Sequence, residues 1–262
     1  MSALRLEQVS KSFGGVTAVA EVSFAVAPRQ IFALIGPNGA GKTTLFNLIS
    51  GVYRPSAGRV FLSGEDVTGQ PPHLLARHGL ARTFQTPQVF LNMSAVENVM
   101  VGAHRHLRSG LLPAIARLGR FRAAEKACRA DAAALMERLG LGRYRDAEAG
   151  SLPYGALKRL EVARAMASKP RLLLLDEPAA GLNAGEAEEM VGVLRAIAET
   201  GVTVVLIEHN MRMVMGISER VLVLVSGRVL VEGAPADVQR HPEVVAAYLG
   251  AEAAPSEERR RA

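Results

Sequence analysis

No apolar run in this 262-residue chain approaches the roughly 18 residues that a membrane-spanning helix needs. The most apolar stretches, Leu172 to Leu175 and Val221 to Val225, are strand-sized. Cys128 is the single cysteine, which excludes an internal disulfide and a cysteine-rich metal site. The first residues lack the basic-then-apolar pattern of a secretion signal. No internal repeat is visible. Together these absences predict a cytoplasmic protein.

What is present is a globular composition. Apolar residues make up 49% of the chain, and its length allows a large core, as one domain or a domain with a subdomain. The net charge of +6 is uneven. Residues 101–130 hold seven basic side chains (Arg105, Arg108, Arg117, Arg120, Arg122, Lys126 and Arg129) against one acid, Glu125. Such a block suits nucleic acid, anionic headgroups, an acidic partner, or simply a solvated helical face.

One stretch organises the chain. Gly36-Pro37-Asn38-Gly39-Ala40-Gly41-Lys42-Thr43 fits G-x-x-x-x-G-K-[ST], the phosphate-binding P-loop. Ile31 to Ile35 before it reads as a buried strand. Lys42 to Ser50 after it has helical apolar spacing, with Gly51 as a stop. Gly36, Gly39 and Gly41 free the backbone for conformations closed to other residues. Its N–H groups, from Gly36, Asn38, Gly39, Ala40, Gly41 and on to Thr44, then form an anion-binding concavity at the positive end of a helix. Lys42 would reach the β and γ phosphates, and the Thr43 hydroxyl would bind Mg²⁺.

Before this station, Leu4, Leu6 and Val9 begin a strand, Ser12 to Gly15 reads as a turn, and Val22 to Val26 alternates as a second strand. Arg59 to Leu62 and Leu80 to Phe84 read as further strands, with a short helix at His73 to Arg77 between them. Residues 94–150 show no strand signal. Ser94 and Glu97 form a capping box there, and a long helix over Ala123 to Leu139 ends at Gly140. This predicts an inserted helical subdomain, about 94–150. Beyond it, helices are predicted over Tyr154 to Ala167, Gly185 to Ala198 and Pro242 to Leu249. Strands are predicted over Leu172 to Leu175 and Thr203 to Ile207, with a hairpin around Ser226-Gly227. Residues 251–262 are charged and rich in small residues, which predicts a disordered tail.

The second chemical station closes the apolar strand Leu172 to Leu175 with Asp176 and Glu177. At the carboxyl end of a parallel strand, Asp176 can hold Mg²⁺ and Glu177 can polarise an attacking water. Gln85 and His209 also follow apolar strands, where each could be functional or merely a surface residue.

In this order, the stations make the chain resemble an ATP-binding subunit of an ABC transporter, up to about residue 250. The resemblance implies adenine stacking on Phe13, a Walker A at Gly36 to Thr43, a Q-loop at Gln85, a Walker B aspartate and general base at Asp176-Glu177, and a switch histidine at His209. It sets a signature at Leu152 to Ala156, where Tyr154 and Gly155 would meet nucleotide, and a D-loop at Ala180 to Asn183. Metal ligands would be Thr43, Gln85 and Asp176. Ala81 to Gln85, Pro178 to Asn183, Ile207 to Met211 and Ala247 to Gly250 resemble the LivG-type subunits of branched-chain amino acid importers. The resemblance implies an α/β fold: a P-loop ATPase core with a mainly parallel sheet, an antiparallel β subdomain and the helical insert. It implies ATP hydrolysis with ATP and Mg²⁺, at the cytoplasmic face of the inner membrane. The implied partners are a second, different ATPase subunit, two transmembrane permease subunits and, indirectly, a periplasmic or extracellular binding protein, with no nucleic acid. Two other readings stay open: the same role for another cargo (urea, short amides, lipopolysaccharide), or a soluble ABC ATPase acting on nucleic acid.

The chain departs from the family pattern at the signature, usually L-S-G-G-Q. Pro153 stands where the serine would offer a hydroxyl to the opposite subunit's ATP, and Ala156 where the glutamine would be. Proline has neither hydroxyl nor N–H to give, though it is tolerated in a helix's first turn. Asn183 replaces the usual D-loop aspartate.

Overall fold

The alternation that starts at Leu4 runs further than its apolar residues suggest. Strand β1 spans Leu4–Phe13 and turns through Gly14-Gly15 into β2, Val16–Val26, in a computed structural model that describes residues 2–104 and 118–252. The two strands pair antiparallel from Leu4 opposite Val26 to Phe13 opposite Val16, so pairing carries β2 back to the turn. Leu4, Leu6, Val9, Val22, Phe24 and Val26 are buried, which fixes the register by one apolar face. Strand β3 (Ile31–Ile35) is buried throughout and leads into helix α1, Lys42–Ile49. Strands β4 (Ala57–Leu62) and β5 (Glu65–Asp66) complete an antiparallel sheet of order β2-β1-β4-β5, and helix α2 covers Pro72–Arg77.

The chain then enters a second compact unit, Ala76–Val204; the first runs to Leu75 and resumes at Val205. In the second unit, strand β6 is only Leu80–Arg82, two residues shorter than the stretch read as a strand, and the Phe84 N–H is taken by a side chain. Helix α3 (Ala95–Gly102) starts where Ser94 and Glu97 predicted, with both halves of the capping box made. The Glu97 carboxylate accepts from the Ser94 N–H at 2.9 Å. Ser94→Ala should therefore lower stability by about 1 kcal/mol in urea denaturation of the chain. Helix α4 (Leu118–Arg138) buries Cys128, Ala132 and Met136 along one face. Of the basic block, Arg105, Arg108 and Arg117 lie outside the described residues, while Arg129 pairs with Asp146 at 2.9 Å. Helix α5 spans Tyr154–Ala167, strand β7 spans Leu172–Asp176 parallel to β6, and helix α6 spans Ala184–Glu199.

Strand β8 (Thr203–Ile207) returns the chain to the first unit. Helix α7 (Met211–Ile217) follows, then the hairpin β9 (Arg220–Val225) and β10 (Arg228–Gly233). Strand β3 lies between β8 and β9, parallel to β9, with β10 on its far side. Helices α8 (Pro235–Arg240) and α9 (Pro242–Glu252) close the described chain. Helix α9 reaches two residues into the segment read as a disordered tail, carried by Ala251 and Glu252, both compatible with helix. Residues 253–262, the rest of that predicted tail, lie outside the described residues. The α/β class, with a parallel-rich sheet, an antiparallel sheet and helices, is as expected.

Candidate functional site

In the first unit, the loop from β3 to α1 is shaped by its contacts. Gly36 has φ +151°, and a Cβ there would lie 2.1 Å from the Leu224 carbonyl oxygen of β9. Only glycine fits both the angle and the gap. The Gly227 N–H, from the β9–β10 turn, donates to the Ala40 carbonyl at 2.9 Å. The hairpin turn thus fastens the loop, a role the sequence reading did not give it. The Lys42 ammonium donates to the Gly36 and Pro37 carbonyls at 2.7 and 2.9 Å, which holds it over the loop. Asn38, Gly39 and Thr43 are exposed, and Thr44 is half-buried. Burial pushes the Tyr248 hydroxyl up in pKa, opposed by the Gly36 backbone, so the C-terminal Ala247-to-Gly250 stretch reaches the same loop.

Phe13, at the end of β1, is 44% exposed and stands edge-on to Tyr53, ring centres 5.2 Å apart. An exposed ring supported at its edge keeps a face for stacking. His209 is exposed just after β8. The buried Glu208 carboxylate accepts from the His209 and Asn210 N–H groups at 3.0 and 3.2 Å, and Asn210 caps α7. This turn aims His209 outward. The sequence reading assigns Glu208 no role.

In the second unit, the structure brings Gln85, Asp176 and Glu177 together. The Gln85 side-chain amide donates to the Glu177 carboxylate at 3.0 Å. Glu177 has φ +48°, uncommon for a residue with a Cβ and a form of strain concentrated at functional sites. Asp176 pairs with Arg82 at 3.1 Å, their side chains only 8% and 6% exposed. Burial pushes the Asp176 carboxyl up in pKa, while Arg82 pulls it down. Arg82 was missed, yet a signal existed: it shares a strand face with buried Leu80, where a charge needs a partner.

The signature residues stand at the start of α5. Pro153 is its N-cap with no side-chain capping bond, and its carbonyl accepts from the Leu157 N–H at 3.0 Å, so the proline leaves the helix intact. Tyr154 is 44% exposed, while Gly155 and Ala156 are buried. Asn183 caps α6, accepting from the Glu186 N–H at 3.0 Å, a bond that an aspartate there would accept equally. Among the described residues, no group of three His, Cys, Asp or Glu side chains could hold a metal ion by itself.

Comparison with known proteins agrees with this geometry. Residues 19–180 match the ABC transporter family, and residues 228–254 match the family described as branched-chain amino acid ATP-binding cassette transporter. The chain is 42% identical to the high-affinity branched-chain amino acid transport ATP-binding protein BraF of Pseudomonas aeruginosa, over 94% of this chain and 97% of that one. It is 42% identical to the protein LivG of Escherichia coli, likewise named for high-affinity branched-chain amino acid transport, over 91% of this chain and 94% of that one. A crystal structure of a nucleotide-free ATP-binding cassette from an ABC transporter superposes with a TM-score of 0.83 at 32% identity, covering 95% of this chain and 99% of the other. The chain belongs to the ABC transporter family, as one of its ATP-hydrolysing cassettes.

Proposed function

We propose that this chain powers an importer of branched-chain amino acids. The observation that carries the cargo is the match of residues 228–254 to the branched-chain cassette family. The nearby relatives named for branched-chain amino acid transport support the same reading. In this reading Phe13 stacks on adenine, and the Gly36-to-Thr44 backbone receives the phosphates. Lys42 neutralises the β and γ oxygens. Glu177 takes the proton side of the attacking water, with Gln85 and His209 on the γ-phosphate. Transition-state charge, not covalent chemistry, is what these groups meet.

The residues present fit Mg²⁺. Thr43, Gln85 and Asp176 offer hard oxygens, and the Gln85 nitrogen is already given to Glu177, leaving its Oε1 to coordinate. Magnesium, when bound, would neutralise β and γ oxygens of ATP.

Transport needs further chains, since no helix among the described residues is long and apolar enough to cross a membrane. We infer two permease subunits, a binding protein for the cargo, and a peripheral position at the cytoplasmic face. The second ATPase is a different chain: Pro153 cannot supply a hydroxyl, so a homodimer would lack it at both sites. The test is co-purification from native membranes, then reconstitution in vesicles. Leucine-, isoleucine- or valine-loaded binding protein should stimulate ATP hydrolysis. Stimulation only by another cargo overturns the cargo reading, and a fully active dimer of this chain alone overturns the heterodimer.

A further inference from the structure

Helix α5 carries Lys158 and Glu161 three residues apart, hence on one face, and both are buried, at 2% and 4% exposure. Buried charges are costly unless they find polar partners. Here the partners are backbone groups that no strand or helix serves. The Lys158 ammonium donates to the Gln85 carbonyl at 2.7 Å and to the Glu177 carbonyl at 3.3 Å. The Glu161 carboxylate accepts from the Phe84 N–H at 3.1 Å and the Gln88 N–H at 3.3 Å. The loop after β6 is therefore gripped at three of its residues, and the strained backbone of Glu177 is gripped by the same helix.

We infer that Lys158 and Glu161 are positioning residues for hydrolysis, a buried clamp through which the signature helix sets the Gln85 loop and Glu177 relative to each other. This rests on the hydrolytic role proposed for Glu177. Neither side chain reaches the reacting atoms; each acts on the backbone that carries a residue that does. The clamp belongs to the helix that begins at Pro153 and Tyr154. A rotation or shift of that helix moves the donors on the Gln85 and Glu177 carbonyls and the acceptor on the Phe84 and Gln88 amides together. Misplacing a reacting group by about 1 Å can cost on the order of a hundredfold in rate.

The experiment pairs Lys158→Met, Glu161→Leu and Glu161→Gln. Methionine keeps the length of the lysine without its donors, and glutamine keeps an oxygen able to accept both N–H bonds. ATP turnover is measured in the assembled transporter. Hydrogen exchange and ATP binding are measured on the full chain. Lys158→Met and Glu161→Leu should lower kcat about ten- to a hundredfold with KM for ATP changed less than about threefold. In Glu161→Leu the Phe84 and Gln88 amides should exchange at least about tenfold faster, while the rest of the second unit keeps its protection. Glu161→Gln should restore both kcat and protection. Parent-like kcat in both Lys158→Met and Glu161→Leu overturns the clamp. So does a loss shared evenly by kcat, binding and protection across the unit, or a Glu161→Gln as impaired as Glu161→Leu. A Glu177→Gln chain that hydrolyses normally would instead overturn the role of Glu177. The two failures are separable because exchange at Phe84 and Gln88 is read without turnover.

Discussion

Glu177→Gln should bind ATP as the parent does and hydrolyse it about 10²–10⁴-fold more slowly, the usual loss on removing a general base. The substitution is nearly isosteric, so the +48° backbone at residue 177 and its carbonyl contact with Lys158 are kept. What changes is the carboxylate that accepts the Gln85 amide at 3.0 Å. A glutamine there can still accept that bond through its oxygen, but it cannot take a proton from water at neutral pH. The loss should therefore appear in kcat with little change in KM, and ATP-bound protein should accumulate. The measurement is steady-state hydrolysis by the assembled transporter, alongside equilibrium titration with ATP. Wild-type turnover in Glu177→Gln would move the base elsewhere.

Gly36→Ala should weaken ATP binding by more than about a hundredfold and lower stability by roughly 1–3 kcal/mol, the range for overpacking. The new Cβ would stand 2.1 Å from the Leu224 carbonyl oxygen, a backbone atom inside a paired strand that has no room to retreat. The φ of +151° adds strain of its own. The loop must move, and its N–H groups, proposed to receive the phosphates, move with it. Gly39→Ala is the comparison: there a Cβ meets nothing within 4 Å, so only its φ of +77° resists. Nucleotide titration and thermal melting of both variants separate the two causes. If Gly36→Ala binds as well as Gly39→Ala, packing on β9 is not what shapes the loop.

Much of this was readable in one dimension where the cause is local. The strand, glycine-rich turn and helix around Gly36 follow each other within 20 residues, and propensity, pattern and motif agree there. Helix Tyr154–Ala167 starts just after Pro153 and stops before Lys169-Pro170, and strand Thr203–Ile207 is a short apolar run after Gly201, so local signals bounded both correctly. Gln85 and Glu177 were named separately from their strand-end positions. Their hydrogen bond is set by the parallel register of Leu80 opposite Leu172, 92 residues apart, which no local signal carries. The same holds for Arg82 on Asp176, and for Lys158 and Glu161. Each looks like an ordinary charge until tertiary packing brings a loop against it. The overlong reading at Leu80 to Phe84 has that origin too: Phe84 has a strand-forming side chain, but its N–H is given to Glu161.

The fastening of the Gly36 loop by Leu224 and Gly227 bears on how the chain is made. The ribosome delivers the loop early and its fasteners about 180 residues later, a wait of roughly 10–40 s at 5–20 residues per second. By then Ala76–Val204, a compact unit of its own, can already have assembled. The Gly36 loop is thus among the last features to take shape on a nascent chain. A translational pause or stop before residue 224 would leave a folded second unit beside a loop with nothing to brace it. Nucleotide added during synthesis should protect only chains that have passed the β9–β10 turn.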